Sequence, residues 1–190
     1  MREHERIALA MITVITSTMA FVEGMIAVPA ASTALAADAL LFVQHSMTAG
    51  LAMRSAFGLP RYRWMTGAQG ALMMLLGVLV CAIAFRRFAM GSFPRPILMI
   101  SMASIALAAN LSACMILLHA RGELRSLNAL WRFARTDAVS NISVIAAAGM
   151  VAVTHRNIPD LVIGGAMAGF FVLSGWRVLT TGHADAGQLR

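Results

Sequence analysis

The sequence predicts an all-α integral membrane protein with six transmembrane helices, on the basis of three observations. Of its 190 residues, 59% are hydrophobic and only 12% are charged, whereas about a quarter of the residues in a soluble domain are charged. Its mean hydropathy is +0.78. Apolar runs of about 20 residues, enough to cross a hydrocarbon core of roughly 30 Å as a helix, recur along the chain.

Six of these runs are assigned as membrane spans, and a single transmembrane domain accounts for residues 1–190. The predicted spans are 7–29, 34–56, 64–85, 97–119, 137–154 and 158–180. Each must be helical, because unpaired backbone groups are unfavourable in lipid and no run shows the alternation typical of barrel strands. The longest polar connection is 120–136, and no soluble domain is expected.

The fifteen positive charges are all arginine, since the chain has no lysine. If the N-terminus is cytoplasmic, eleven of them face the cytoplasm and four face the other side. This asymmetry follows the positive-inside rule and predicts a multi-pass protein of the inner (plasma) membrane with both termini cytoplasmic. The lipid bilayer is therefore its expected surrounding. No nucleic acid partner is expected, because the arginines are scattered among connections rather than gathered on one soluble face.

Polar side chains inside the predicted spans are the candidates for function. An ionisable group near the bilayer centre costs about 2.5 to 3.5 kcal/mol on insertion scales, so each one needs a compensating role. They are Glu23, Asp38, Gln44, His45, Asn110, Asp137, Asn141 and Asp160. Catalytic motifs such as GxSxG, HExxH and Gly-rich phosphate loops are absent from the sequence, so no enzyme is expected.

Two spans present these polar groups at helical spacing. Asp38 and His45 are seven residues apart, which is two turns, so they project from nearly the same face of the second span. Asp137 and Asn141 are four apart and share a face of the fifth. If the two helices touch, their side chains converge on one cation, and imidazole with carboxylates favours a metal such as zinc or cobalt. These four residues are the candidate metal ligands.

A structural role is the alternative for the same residues. Asp38 and Asp137 would then cap helix N-termini, with Asp137 at the predicted start of the fifth span, and His45 would form one interhelical hydrogen bond. Asp160, which follows a proline, is expected to cap the sixth helix. Glu23 is expected either to carry a proton or to pair with an arginine.

Small residues indicate where helices approach closely. Gly165 and Gly169 form a GxxxG pattern in the sixth span, and Gly67 and Gly70 lie in the third. Such residues let helix backbones pack against each other in membranes. We expect helix contacts at both places.

Several segments together resemble a known family. They are the Ala-Asp-Ala opening and following residues at 37–45, Ala-Ala-Asn-Leu at 108–111, Arg-Thr-Asp-Ala-Val-Ser-Asn at 135–141, Ile-Pro-Asp-Leu-Val at 158–162 and Ser-Gly-Trp-Arg-Val-Leu at 174–179. Over nearly its whole length the chain resembles the cation diffusion facilitators, six-helix proton-coupled exporters of zinc and similar divalent metals. The resemblance implies a bundle of that type.

The resemblance also implies where metal ligands stand. In the family, the second and fifth helices each offer two ligands four residues apart, and the matching positions here are Leu41 with His45 and Phe133 with Asp137. Two of the four are apolar, and His45 stands where the family usually has aspartate. The family's C-terminal cytoplasmic domain has no counterpart in this sequence, so a homodimer would form through membrane helices.

The expected function is efflux of a divalent metal cation such as zinc, by proton-coupled antiport with alternating access. No cofactor is expected besides the transported cation. The alternative is a degenerate, non-transporting member that acts as a membrane interaction or regulatory subunit, which the apolar residues at Leu41 and Phe133 favour. Transport of another solute through the same bundle also stays open.

Overall fold

In the computed structural model, residues 3–58, 63–120 and 125–184 are described, and every regular element in these ranges is an α-helix. The helices in chain order are α1 (Glu3–Ala27), α2 (Thr33–Ala56), α3 (Arg63–Met90), α4 (Pro96–His119), α5 (Arg125–Thr154) and α6 (Ile158–Ala184). The predicted all-helical class is confirmed for this part of the chain.

Five of the helices are long and apolar enough to cross a membrane. The candidate spans are Glu3–Ala27, Trp64–Met90, Pro96–His119, Ala134–Thr154 and Ile158–Thr180. These are the features of a multi-pass membrane protein. The sixth predicted span, α2, does not reach the same apolarity, because Asp38, Gln44, His45 and Arg54 interrupt its apolar residues.

The helix that falls short of the apolarity of a membrane span, α2, is also the most enclosed. No residue of α2 between positions 33 and 54 is exposed. The outward surface of the other helices instead carries large apolar side chains, including Phe21, Phe85, Phe88, Val153 and Trp176. A polar interior under an apolar surface suits a helix bundle in lipid, where ionisable side chains turn inward.

Helix contacts divide the bundle into two parts, which meet through α2 and through the contact of α5 with α6. In the first part, α1 packs along α2, α4 packs along α5, and the two pairs join through α1 with α4 and α2 with α5. In the second part, α3 packs along α6. Because α2 contacts α1, α3, α5 and α6, its side chains face every one of these helices.

The fifth helix begins earlier than predicted. It starts at Arg125, twelve residues before position 137, so most of the predicted polar connection at 120–136 is helical. No glycine or proline interrupts residues 125–136, and the Arg135 guanidinium lies 4.6 Å from the Trp131 ring centroid, one turn away. Asp137 therefore lies inside a helix, and the capping role considered for it is wrong.

The close helix contacts involve other glycines than the sequence pattern indicated. Gly165 and Gly169 have open space where a Cβ would stand, as does Gly67. Of the expected positions, Gly70 does lie in a contact: a Cβ there would be 3.1 Å from the Gly175 carbonyl oxygen. Helices α3 and α6 therefore meet at Gly70 and Gly175, and Gly175 is not part of the GxxxG pattern.

Adding one methyl group at this contact is expected to destabilise the protein. A Cβ at Gly175 would stand 2.7 Å from the Gly70 carbonyl oxygen and 2.9 Å from the Met74 backbone nitrogen, so the backbones of α3 and α6 must separate. We expect Gly175→Ala to cost about 1 to 3 kcal/mol. The thermal midpoint of the detergent-solubilised protein measures it, with Gly169→Ala, which meets open space, as the matched control. Equal midpoints would contradict the close packing of α3 on α6.

Candidate cation site

A histidine and an aspartate meet between α2 and α5. His45 Nδ1 lies 2.5 Å from Asp137 Oδ2, and both side chains are almost fully buried, at 5% and 1% exposure. Asp38, two turns before His45 in α2, accepts a hydrogen bond from Ser140, which lies about one turn after Asp137 in α5. Because residue 45 faces 137 while residue 38 faces 140, α2 and α5 run antiparallel. The polar faces of the two helices therefore lie against each other.

A small polar cavity adjoins this pair. Its volume is about 10 Å³, and helices α1, α2, α4 and α5 all contribute to its wall. The polar lining residues are Thr16, His45, Asn110 and Asp137, and the rest of the wall is apolar. A volume of this order holds one water or one small ion. The cavity brings together imidazole, carboxylate, carboxamide and hydroxyl groups from four helices.

Asn110 contributes a buried amide to this cavity. It lies at mid-helix in α4 and is 2% exposed, and its Nδ2 has no hydrogen-bond partner in the described part of the chain. Burying an unpaired amide is unfavourable, so such a group marks a place where a ligand or water completes the site. The only sequence signal was a polar residue at membrane depth.

The other two predicted ligands have separate partners. Asp38 Oδ1 accepts a hydrogen bond of 2.7 Å from Ser140 Oγ. Asn141 Nδ2 donates one of 2.7 Å to the backbone carbonyl of Asp137, one turn before it, and its Oδ1 has no partner among the described residues. Thus, of the four predicted ligands, the structure joins the His45 and Asp137 side chains directly.

The structure does not assemble a full set of conventional metal ligands. In the ranges that are described, no group of three or more His, Cys, Asp or Glu side chains could hold a metal ion. Leu41, at one of the family's ligand positions, packs in an apolar cluster with Met73 and Phe171. The side chain of Phe133, at the other, lies outside the described residues. Any metal at His45 and Asp137 must therefore take its remaining ligands from amide, hydroxyl or water oxygens.

A third acid lies near this face. Glu23 of α1 is fully buried, and its carboxyl group interacts electrostatically with that of Asp38 on the neighbouring helix. Asp137 is a further electrostatic neighbour of both. Glu23 was expected to carry a proton or to pair with an arginine, and the neighbours that act on it most strongly are acids. With His45, the core holds three carboxyl groups and one imidazole, so it favours positive charge.

Asp160 serves a different helix from the one predicted. Its carboxylate accepts hydrogen bonds from Ser32 Oγ at 2.5 Å, from the Thr33 backbone nitrogen at 2.7 Å and from the Ala34 backbone nitrogen at 3.1 Å. These groups form the N-terminus of α2, whereas Asp160 lies in the first turn of α6. The residue is a capping group, as expected, but it caps α2 from α6.

No family model matches the chain, and no curated protein is similar to it. The buried polar groups at the cavity come from α1, α2, α4 and α5. Their arrangement offers one nitrogen and several oxygen ligands, a small cavity and an excess of buried acids. Nitrogen and oxygen groups of this kind can bind a cation, and imidazole and carboxyl groups can take up and release protons.

Proposed function

We propose that this protein carries a divalent metal cation across a membrane, with His45 and Asp137 as the centre of the cation site and with protons moving in the opposite direction. The observation that carries the proposal is the buried contact of these two side chains between α2 and α5. Burying an ionisable group inside a membrane bundle costs free energy, so such a group usually serves a function. An imidazole exchanges protons near neutral pH and binds metal in its neutral form, so metal and proton compete for it.

The ligand set favours a borderline metal such as zinc or cobalt, which imidazole and carboxylate both bind. In this proposal the side-chain oxygens of Asn110 and Thr16, or a water in the adjoining cavity, supply the remaining ligands. Asp38 is left outside the cation site, because its partners are Ser140 and Glu23. Weak oxygen ligands suit a transported ion, which must leave the site as well as enter it.

The proposed path runs through the bundle and uses alternating access. We place α2 as a sixth span, shielded from lipid by the helices around it, because the bundle encloses it from position 33 to 54. The distribution of arginine supports cytoplasmic termini and an inner-membrane location. The direction we propose is efflux, which agrees with the resemblance to the cation diffusion facilitators.

The second candidate is a non-transporting subunit that binds another membrane protein. One finding favours it: the described residues contain no group of three or more conventional metal ligands. In this case His45 and Asp137 form only an interhelical hydrogen bond. The protein would then bind no divalent ion and would co-purify with a partner.

Flux into proteoliposomes separates the two candidates. The purified native protein is reconstituted, a pH gradient is imposed, and uptake of zinc, cobalt, cadmium and manganese is followed against protein-free liposomes. We expect uptake of at least one ion that stops when a protonophore collapses the gradient. Absence of flux for all four ions would contradict transport and favour the subunit.

A further inference from the structure

A second pair of ionisable groups lies in the core, at Glu23 of α1 and Asp38 of α2. Both side chains are fully buried, the helices that carry them pack along each other, and their carboxyl groups interact electrostatically. Ser140 Oγ donates to Asp38 Oδ1 at 2.7 Å. The other three oxygens, both of Glu23 and Oδ2 of Asp38, receive no hydrogen bond from an N–H or hydroxyl group in the described ranges.

Two charged carboxylates are unfavourable in this position. Burial removes the water that would stabilise each charge, and the two negative charges repel each other. A single proton relieves both effects, because a protonated carboxyl group donates to a carboxylate and forms a strong hydrogen bond. Two interacting acids of this kind take up and release protons as a unit.

The surroundings decide which oxygen holds that proton. Asp38 already accepts a hydrogen bond from Ser140, which stabilises its charged form. Glu23 receives no such bond. The arrangement therefore favours a protonated Glu23 that donates to Asp38 Oδ2.

Few other charged groups of the described ranges lie near the pair. From α5, Asp137 acts on both acids, and it is in turn paired with His45 of α2. The buried face of α4 contributes only Asn110 and apolar residues. Asp160 of α6 and Arg87 of α3 are both bound at the N-terminus of α2, where Arg87 donates to Thr33 Oγ1 at 3.1 Å. Asp137 is thus the link between the pair and the cation site.

We propose that Glu23 and Asp38 share one proton and release it when a cation binds at His45 and Asp137. The inference rests on the proposed function, and it adds a second proton site beside the His45 imidazole. On release, the O–H bond of Glu23 breaks, the proton passes to water, and both acids remain as carboxylates. A cation next to Asp137 favours that step, because it offsets the added negative charge. Departure of the cation favours reprotonation.

Infrared difference spectroscopy tests the shared proton without any transport assay. Films of the native protein in lipid are perfused between acidic and alkaline buffer, and the C=O stretch of a protonated carboxyl group is followed with its shift in D₂O. We expect a band that titrates in the native protein, that is lost in Glu23→Gln, and that is shifted in frequency and in midpoint pH in Asp38→Asn, where Glu23 keeps its proton but loses the carboxylate that shares it. The control is Glu3→Gln, since Glu3 is an exposed acid on the same helix. A band that persists in Glu23→Gln, or no titrating band in the native protein, would overturn the proposal.

Glutamine has nearly the shape of protonated glutamate, so Glu23→Gln is expected to insert and fold with a thermal midpoint no lower than that of the native protein. A large fall would show that Glu23 is charged in the folded state and would contradict the shared proton. Asp38→Asn provides the second variant if Glu23→Gln yields too little protein.

Perfusion with cobalt at constant pH tests the link between the sites. We expect cobalt to remove the carboxylic acid band of the native protein. We expect Glu23→Gln to bind cobalt but to show a weaker response of its flux to the pH gradient, because His45 alone then exchanges protons. A band that cobalt leaves unchanged, although cobalt binds, would overturn the link. If the native protein binds no cobalt, the proposed transport fails, and the pH titration of the band still decides whether the two acids share a proton.

Discussion

Replacement of His45 by alanine is expected to abolish gradient-driven cation flux while the protein still inserts into the membrane. The change removes the nitrogen ligand of the proposed site. It also removes the imidazole whose Nδ1 lies 2.5 Å from Asp137 Oδ2. Loss of a residue that only hydrogen-bonds to a metal ligand lowers metal affinity about 10- to 100-fold. Removal of a ligand itself has a larger effect, so we expect the initial rate of uptake to fall at least about 100-fold. The rate is measured in proteoliposomes with equal protein content.

Two further variants make this result specific. Asp137→Asn keeps the size of the side chain but removes its charge, and it is expected to lower flux as strongly as His45→Ala does. His119→Ala is the control, because His119 is exposed at the end of α4, and its flux should equal that of the native protein. Retained flux in both His45→Ala and Asp137→Asn would show that the cation follows another path.

Asp160→Ala is expected to produce the largest loss of stability. The substitution removes the acceptor of three hydrogen bonds and leaves Ser32 Oγ and two backbone N–H groups of α2 without it. All of these groups are buried, and bonds to a charged acceptor are worth more than neutral ones. We expect a loss of about 3 to 5 kcal/mol in the free energy of unfolding, because each buried donor left without an acceptor costs about 1 to 3 kcal/mol.

The fall is measured as the thermal midpoint of the solubilised protein. Asp160→Asn retains one acceptor oxygen and should lie between the native protein and Asp160→Ala. Glu3→Ala removes an exposed acid and should leave the midpoint unchanged. A midpoint for Asp160→Ala equal to that of the native protein would contradict the role of Asp160 in holding α6 to the N-terminus of α2.

The helices were predictable from the sequence because each apolar run is long and is bounded by glycine, proline or polar residues. The predicted start of α5 was wrong for a physical reason. Arginines and an aspartate at 125–137 resemble a polar loop, but arginine is a good helix former and no breaker interrupts the segment. Hydropathy thus marks where a helix enters the bilayer, whereas the helix itself extends beyond that point.

The individual polar residues of the core were predictable, but most of their partners were not. His45 and Asp137 were expected in one site, while the contacts of Asp38 with Ser140 and Glu23 depend on how α1, α2 and α5 align in space. Helical spacing reports only which residues share a face of one helix. The capping of α2 by Asp160 was missed for the same reason, since its donors are more than 120 residues away.

Binding of cobalt to the purified protein is the most direct measurement of the proposed site, because it requires neither a gradient nor reconstitution. Cobalt(II) is titrated into the solubilised native protein, and its visible absorption reports coordination by nitrogen and oxygen ligands. We predict one bound cobalt for each chain, lost in His45→Ala and in Asp137→Asn and retained in His119→Ala. Absence of binding to the native protein, or equal binding in the first two variants, would contradict a cation site at His45 and Asp137.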